Sequence, residues 1–261
     1  MAHAAESTHY YTRTGEPAYT VKAKAGHDRP TNVGDARKLG LVPSVTTIIK
    51  CAAAPGLTNW MIDQAILAAL TLPLIEGETS EAYLARIKRD SKEQAKKAAE
   101  RGTVIHAAIQ GSYEGKHPGE EYLPHALGAD AAITEWLQKP SGLSVEAERS
   151  FAHPLGFGGK VDLCGEPPLF VLDFKTKEFN EKSDLKVWDE HAMQLAAYRM
   201  GLGMPNARCA ICYVSVTTPG LARLIEIPEE ELKKGWKCFY SLLQYWKAKS
   251  GFESSFERLA A

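Results

Sequence analysis

Three short segments that follow one another between residues 143 and 177 constrain the fold of this chain most. They read LSVEAERSFAH, GFGGKVDLCG and LFVLDFKTK, and turns that contain glycine and proline separate them. Such short runs with β-branched and aromatic residues, bounded by turn residues, are typical of strands. We therefore expect three consecutive strands that form a meander.

Helical patterns precede this meander. Apolar residues recur at helical spacing in LTNWMIDQAILAAL, in EAYLARIKRDSKEQAKKAAERGTVIHAAIQGSYEG, and between residues 123 and 138. Ser44 is a suitable N-cap for the first helical stretch, SVTTIIKCAAA. Residues 43–140 are thus predicted to form a helical portion, which makes the first half of the chain rich in helices.

A helix, two strands and a closing helix are expected after the meander. WDEHAMQLAAYRMGLG has the apolar spacing and glycine stop of a helix, whereas CAICYVSVT and LARLIEI are typical of strands. The last segment, PEEELKKGWKCFYSLLQYWKAK, predicts an amphipathic helix. Its apolar residues are assigned to the core and not to a base-stacking platform: Trp236, Phe239, Tyr240, Leu243 and Trp246. Residues 141–261 then hold the sheet core and the closing helix.

The beginning of the chain is expected to form an appendage. HYYTRTGEPAYTVKA has aromatic and β-branched residues around a Gly-Glu-Pro turn, which predicts a hairpin, and GHDRPTNVGDARKLG after it is typical of a loop. We assign residues 1–42 to this appendage. Because 261 residues suit one decorated domain, residues 1–261 are expected to form a single domain.

Charge and hydropathy exclude some classes of protein. The 31 Lys and Arg residues balance 32 Asp and Glu residues, so any basic surface must be local. No apolar stretch approaches the roughly 18 residues that span a bilayer, and the start lacks the apolar region of a secretory signal. We expect no membrane partner and a cytoplasmic location.

The five cysteines do not predict disulfides or a metal site. Their number is odd and they are scattered along the chain, which fits reduced thiols. Cys209 and Cys212 form a CxxC pair, but they lie in a predicted strand. Positions three apart on a strand point to opposite faces, so reduced thiols are expected here, with a cluster or zinc site as the alternative.

Two carboxylates and a lysine are expected to meet in the meander. Asp173 and Lys175 are two apart on a predicted strand and share a face, while Leu172 and Phe174 pack on the other face. Antiparallel pairing with the preceding strand would bring Asp162 beside Asp173. Two adjacent carboxylates repel each other unless a cation lies between them, and Mg²⁺ prefers such oxygen ligands. The alternative is a cross-strand salt bridge on a solvated face.

The motifs around these residues resemble a known family. The helical RGTVIH, then GGKVD, then VLDFKTK, then a helix with QLAAY, occur in the order found in the PD-(D/E)XK nuclease superfamily, and within it in the RecB-like and phage-exonuclease-like branch. The resemblance covers residues 101 to 217. It implies an α/β fold with a restriction-endonuclease-like core of helix, three-strand meander, helix and strand around a mixed central sheet.

The resemblance also implies roles for individual residues. Asp162 and Asp173 match metal ligands, and Lys175 matches the lysine that positions or activates the attacking water. His106 matches a further ligand, and the backbone carbonyl of Phe174 would complete the shell.

Gln194 and Tyr198 match the last motif and, being four apart on a predicted helix, share a face. An ordinary amphipathic helix would explain them as well, just as a core or capping role would explain His106 taken alone. Many members add a glutamate near the first core strand. Glu146 and Glu148 are both candidates, of which Glu148 is preferred, and a solvated strand face is the alternative for both.

The function implied by the resemblance is a Mg²⁺- or Mn²⁺-dependent deoxyribonuclease. An exonuclease of phage or bacterial recombination and repair is expected, in the cytoplasm of a bacterium or a phage-infected host. DNA is the expected substrate, and the resemblance suggests a single-strand annealing or recombination protein as partner and allows an oligomer. Branches with an iron–sulfur cluster carry several cysteines after the last motif, whereas here only Cys238 follows the final core strand, so no cluster is expected. The alternatives are a nucleic-acid-binding module without cleavage and a metal hydrolase for another substrate.

A basic stripe on the long predicted helix is a candidate for phosphate contacts. It consists of Lys88, Arg89, Lys92, Lys96, Lys97 and Arg101. Glu93 and Glu100 interrupt it, and a solvated helix face explains it equally well.

Overall fold

The structure is a computed structural model that describes residues 9–138, 143–166 and 168–252, without the side chain at position 95. The first described segment contains four short strands and two short helices. They are β1 (Tyr10–Tyr11), β2 (Thr20–Lys22), β3 (Asp28–Pro30), α1 (Val33–Leu39), β4 (Val42–Pro43) and α2 (Val45–Ile49).

The hairpin expected in this first segment is present around its turn, whereas the loop expected after it is wrong. β1 pairs with β4 and β2 with β3, while the Gly-Glu-Pro turn is closed by the Tyr11–Pro17 bridge and by backbone hydrogen bonds from Thr12 N–H to the Glu16 carbonyl and from Ala18 N–H to the Tyr10 carbonyl. The expected loop contains β3 and α1, because Asn32 and Asp35 form a capping box that starts a helix. The segment is also well packed, since Tyr10 is 1% exposed and belongs to the main core.

Three helices follow: α3 (Pro55–Thr71), α4 (Ser80–Tyr113) and α5 (Leu123–Leu137). α3 and the first two thirds of α4 lie against each other and form what we call the helical arm, residues 55–100. The connection between them is fixed by the Arg86–Glu78 ion pair at 2.7 Å and by the Tyr83 hydroxyl, which donates to the carbonyl of Ala69. The arm exposes many large apolar side chains: Leu57, Trp60, Met61, Ile62, Ile66, Leu67, Leu70, Leu74, Ile75 and Leu84.

A five-stranded mixed sheet forms the centre of the molecule. It contains β5 (Ser144–His153), β6 (Phe157–Glu166), β7 (Phe170–Lys177), β8 (Arg208–Ser215) and β9 (Ala222–Glu226), in that spatial order. The first three strands are antiparallel neighbours, which confirms the meander. α6 (Asp189–Gly201) carries the chain back so that β8 runs parallel to β7, and β9 is antiparallel to β8.

Two hydrophobic layers cover the two faces of the sheet. The closing helix α7 (Glu229–Ser250) packs with α6 on one face, where Leu195 and Phe239 are fully buried. The ends of α4 and α5 cover the other face, where Ile105 and Ile133 lie. Cys209 belongs to the first layer and Cys212 to the second, so the CxxC thiols do point to opposite faces.

The closing helix differs from expectation at one residue. Phe239, Leu243 and Trp246 are buried and Trp236 packs against the core, as predicted. Tyr240 was expected in the core as well, but it is 42% exposed, because it lies about 100° around the helix from Phe239. In the described part of the chain, no helix combines the length and apolar character needed to cross a membrane.

Candidate active site

The candidate site lies where β6 and β7 stop pairing. The ladder between these strands joins residues 163–165 to 170–172, and the next residue on each strand is an aspartate, Asp162 or Asp173. Asp162 Oδ2 accepts a hydrogen bond from the backbone N–H of Phe174 at 2.8 Å. A side-chain oxygen therefore holds the two strands together where the backbone ladder ends.

The regular alternation of side chains between the two faces of the sheet is interrupted in β6 at Asp162. Val161 and Leu163 are both fully buried but belong to opposite hydrophobic layers, although residues two apart on a regular strand share a face. On β5 the pairs Ala147–Leu163 and Arg149–Val161 place Glu148 opposite this point. Glu148 has a φ of 57°, the left-handed backbone region that is uncommon outside glycine. Both β5 and β6 therefore depart from regular strand geometry at the level of the candidate site.

Helix α4 brings His106 to Asp162. Gly102 permits this approach, because a Cβ at that position would collide with Thr176 Oγ1 on β7. One turn later, His106 Nε2 lies 2.9 Å from Asp162 Oδ2. Burial is the largest influence and opposes the charged forms of both groups, but their hydrogen bond together with the surrounding opposite charges outweighs it, so the pKa of His106 is raised and that of Asp162 is lowered. The two form an ion pair.

Helix α6 brings Gln194 and Tyr198 to Asp173. The Gln194 amide donates to Asp173 Oδ1 at 2.7 Å and to the Tyr198 hydroxyl at 2.9 Å. Lys175 Nζ lies 2.6 Å from Asp173 Oδ2 and donates to Gln194 Oε1 at 3.4 Å. The contact with Lys175 lacks hydrogen-bond geometry, so Asp173 Oδ2 has an ion pair but no aligned hydrogen bond.

Burial disfavours the ionised form of Asp173. Its side chain is 2% exposed, and burial, aided by the charge of Asp162, raises its pKa to about 6 despite the adjacent Lys175. For Lys175, burial is outweighed by the charges of Asp173 and Asp162, so its pKa is raised. Asp173 is thus a buried carboxylate that lies beside a second carboxylate and is not readily ionised. A further cation would stabilise its ionised form.

These groups supply the donors that a hard divalent ion needs. The imidazole of His106, the carboxylates of Asp162 and Asp173 and the carbonyl of Phe174 are nitrogen and oxygen ligands suited to Mg²⁺ or Mn²⁺. Within residues 9–138, 143–166 and 168–252, however, no three His, Cys, Asp or Glu side chains already converge on a common point. His106 and Asp162 hold each other, and Asp173 holds Lys175. The donor chemistry fits a metal ion, while the side chains are arranged as two ion pairs.

The two glutamate candidates contact neither His106 nor Asp173. The Glu148 carboxylate pairs with Lys160 on β6, and Glu146 is exposed with its carboxylate 3.5 Å from Arg149. Glu148 is the closer candidate, because its backbone lies opposite Asp162.

The basic stripe is partly neutralised. Lys96 and Lys97 pair with Glu100 and Glu93, at 3.7 and 3.3 Å, and Arg101 donates to the carbonyl of Val216. Lys88, Arg89 and Lys92 lie on the exposed surface of the arm.

Two residues that the sequence interpretation did not select, Tyr11 and Lys160, also lie beside the site. Gly158 makes room for Tyr11 and Gly159 for Tyr198, because an added Cβ would lie 2.9 Å from Tyr11 Cβ at Gly158 and 2.9 Å from a ring carbon of Tyr198 at Gly159. Lys160 follows these glycines on β6, and the charge of Asp162 acts on its ammonium. The glycine pair in GGKVD was the available indication, since two adjacent glycines on a central strand favour close approach of other groups.

No protein-family model matches this chain, and no curated protein matches it. Among solved structures, the one titled "Crystal structure of SSO0001" aligns with a TM-score of 0.27 and 13% identity, over 71% of this chain and 86% of that chain. A TM-score this low carries no argument about fold or function. The chain is an α/β protein with a five-stranded mixed sheet.

Proposed function

We propose that this chain is a divalent-metal-dependent deoxyribonuclease with the restriction-endonuclease-like core of the PD-(D/E)XK superfamily. The observation that carries the proposal is the grouping at the end of the β6–β7 ladder. His106 lies 2.9 Å from Asp162, and Lys175 lies 2.6 Å from Asp173 on the adjacent strand. The element order α4, β5, β6, β7, α6 and β8 supports the same core.

Mg²⁺ or Mn²⁺ is the proposed cofactor. Such an ion, when bound, offsets charge that develops on a phosphate and lowers the pKa of a water molecule. His106, Asp162, Asp173 and the Phe174 carbonyl would hold it. Because imidazole is a softer donor than carboxylate, we expect Mn²⁺ to support activity at least as well as Mg²⁺.

Lys175 acts as a positive charge in this proposal and not as a base. The neighbouring carboxylates raise its pKa, so its amine carries a proton near neutral pH. Its side chain is 34% exposed, whereas that of Asp173 is 2% exposed, so the ammonium lies between the buried carboxylate and solvent. From there it can orient a water molecule and compensate charge on the scissile phosphate.

Gln194 and Tyr198 position the carboxylate. Both amide protons of Gln194 are used, one on Asp173 Oδ1 and one on the Tyr198 hydroxyl. Gln194 Oε1 accepts from Lys175. The pair therefore fixes the plane of the Asp173 carboxylate and the direction of the lysine, which keeps Asp173 Oδ2 directed at the charged side of the site.

The biological setting is proposed from the motif resemblance. We propose an exonuclease of phage or bacterial recombination and repair, acting in the cytoplasm and working with a single-strand annealing or recombination protein. Oligomer formation is compatible with this role.

Cleavage of end-labelled linear and closed circular DNA tests the proposal. The protein is incubated with each DNA in Mn²⁺, in Mg²⁺ and in EDTA. Loss of the linear substrate with an intact circle, only when metal is present, is the expected result for an exonuclease. Cleavage of the circle would indicate internal attack. No cleavage with either ion would contradict the proposal.

A binding module with the same fold is the second candidate. The observation in its favour is that no three metal-binding side chains converge within the described residues. If wild-type protein bound DNA but left it intact in both ions, this candidate would stand. If Lys175→Ala abolished cleavage and kept DNA binding, the nuclease would stand.

A further inference from the structure

The first described segment of the chain is built onto the strand that carries Asp162. Ser44 forms a parallel bridge with Gly158 on β6, and the Tyr11 ring lies against Gly158. His9 is held by two backbone contacts: its carbonyl accepts from Ser44 at 2.8 Å, and its N–H donates to Thr47 Oγ1 at 3.2 Å. The position of this segment beside the candidate site is therefore fixed by hydrogen bonds.

Three aromatic side chains of this segment, Tyr11, Tyr19 and His9, contact one another in that order, with Tyr11 nearest the site. The hydroxyl groups of Tyr11 and Tyr19 are 2.8 Å apart, and the ring of Tyr19 stacks on His9 with the centroids 4.3 Å apart. Tyr11 is 3% exposed, whereas Tyr19 and His9 are only partly covered. Burial raises the pKa of Tyr11 most, and smaller contributions come from the nearby Tyr19, Tyr198 and Asp162. The hydroxyl of Tyr11 thus lies between the catalytic groups and the partly exposed His9–Tyr19 pair.

Positive charge accompanies the aromatic pair. Burial lowers the pKa of His9, and the positive charges of Lys50 and Lys160 lower it further. Lys50 is exposed at the end of α2, while Lys160 pairs with Glu148. His9 is therefore neutral near pH 7, and one exposed and one paired lysine act on its ring through their charge.

We infer that the stacked His9–Tyr19 pair, beside the helix α2 that the exposed Lys50 follows, binds an unpaired nucleotide of the DNA strand next to the scissile phosphate. The inference rests on the proposed nuclease function and names its substrate: a single-stranded or frayed end. A flat aromatic surface stacks on a base of any sequence, and a base inside a duplex cannot reach such a surface without leaving the stack. The charge of Lys50, which acts on the His9 ring, would offset part of the charge of the adjoining phosphate.

Binding measured without cleavage tests the inference on the wild-type protein first. Fluorescence anisotropy in EDTA is used with single-stranded oligonucleotides that carry one abasic site, moved one position at a time along the strand. One or two neighbouring positions are expected to weaken binding by a factor of about 5 to 100, the effect of losing one stacked base. A flat profile would overturn the inference.

Variants then locate the stacking surface. Tyr19→Ala is expected to lower affinity for the intact oligonucleotide by the same factor and to show no further loss at the sensitive abasic position. Tyr19→Phe keeps the ring and loses the hydrogen bond to Tyr11, so it should bind like wild type. Tyr245→Ala is the matched control, because Tyr245 is also a surface tyrosine, 52% exposed on α7, and has no contact with the His9–Tyr19 pair among the described ring contacts. Additive losses for Tyr19→Ala and the abasic site would overturn the inference.

The outcomes also separate this inference from the proposed function. If binding depended on the abasic position but no metal-dependent cleavage occurred, the stacking site would be supported and the nuclease function contradicted. If DNA were cleaved but affinity did not depend on the position of the abasic site, the nuclease function would be supported and the stacking site contradicted.

Discussion

The sheet region and the helical arm use apolar residues in opposite ways. Leu172 and Ile211 in the sheet are fully buried, whereas Leu70 and Leu74 in the arm are 78% and 72% exposed. Helix α4 belongs to both regions, since Leu84 near its start is 51% exposed and Ile105 near its end is 1% exposed. The candidate site lies entirely in the packed region. Stability and site geometry should therefore depend on residues around the sheet and respond little to changes in the arm.

The largest difference between the two regions is expected in catalysis. Lys175→Ala removes the ammonium group beside Asp173 and should lower the DNA cleavage rate by a factor on the order of 10³. Lys92→Ala, which removes an exposed lysine from the arm, should change the rate less than about threefold at physiological salt, because one phosphate contact contributes little. Rates are measured with Mn²⁺ on end-labelled DNA. Equal losses in the two variants would break the comparison.

Acid should destabilise the packed region through His191. Burial, together with the charges of Lys175 and Lys177, lowers the pKa of His191 to about 4, below its usual 6.5. The neutral imidazole is favoured in the folded protein, so its contribution to stability is complete above pH 6.5 and is lost as the pH falls towards 4. The loss is at most about 3 kcal/mol.

His191→Gln should remove this part of the acid sensitivity. The difference between the free energies of unfolding at pH 7 and pH 4, from urea titrations, should become smaller than in wild type. The arm contains no histidine, so Lys92→Ala serves as a control that keeps the wild-type pH dependence. An unchanged difference in His191→Gln would show that this group does not set the acid response.

Glycine-to-alanine substitutions in the packed region and in the arm compare how much each region loses in free energy of unfolding. At Gly235 of α7 an added Cβ would lie 2.6 Å from the carbonyl oxygen of Ala192 in α6, so Gly235→Ala should destabilise the protein by about 2 kcal/mol. At Gly77 in the arm nothing lies near an added Cβ, and only the positive φ of 78° opposes alanine. Gly77→Ala should therefore cost about 1 kcal/mol. Urea unfolding measures both, and a larger cost at Gly77 would contradict the assignment of close packing to the α6–α7 interface.

The smallest effect is expected at the surface of the arm. Leu70→Glu changes a side chain that is 78% exposed and should alter the free energy of unfolding by less than about 0.5 kcal/mol. Leu232→Ala, at a site that is 2% exposed in α7, should cost about 3 kcal/mol. A large loss of stability in Leu70→Glu would mean that the exposed leucines are covered in solution.

The sheet region was predictable because its signals are local. Period-two alternation placed Asp173 and Lys175 on one face, and the short turn between the strands placed Asp162 beside them. The same periodicity separated Cys209 from Cys212. These patterns are set by backbone geometry over a few residues, which is the range over which a sequence can be interpreted without a structure.

Features that depend on distant partners were missed. The pairing of β1 with β4 joins residues about 30 positions apart, and no local pattern selects it over the nearer hairpin. Tyr11 lies beside the site because the first segment packs on β6, which is again a long-range choice. The ion pair of Glu148 with Lys160 follows from a left-handed backbone at a non-glycine residue, which sequence patterns rarely indicate.

The reversal of strand faces at Asp162 separates inactivation from unfolding. Neither hydrocarbon layer needs a side chain at this seam, so exchanging the carboxylate for its amide opens no void in either one. Under the proposed nuclease function, Asp162→Asn is consequently the natural choice for a folded form that binds DNA without cutting it, and such a form would let the complete complex be crystallised with its strand uncut.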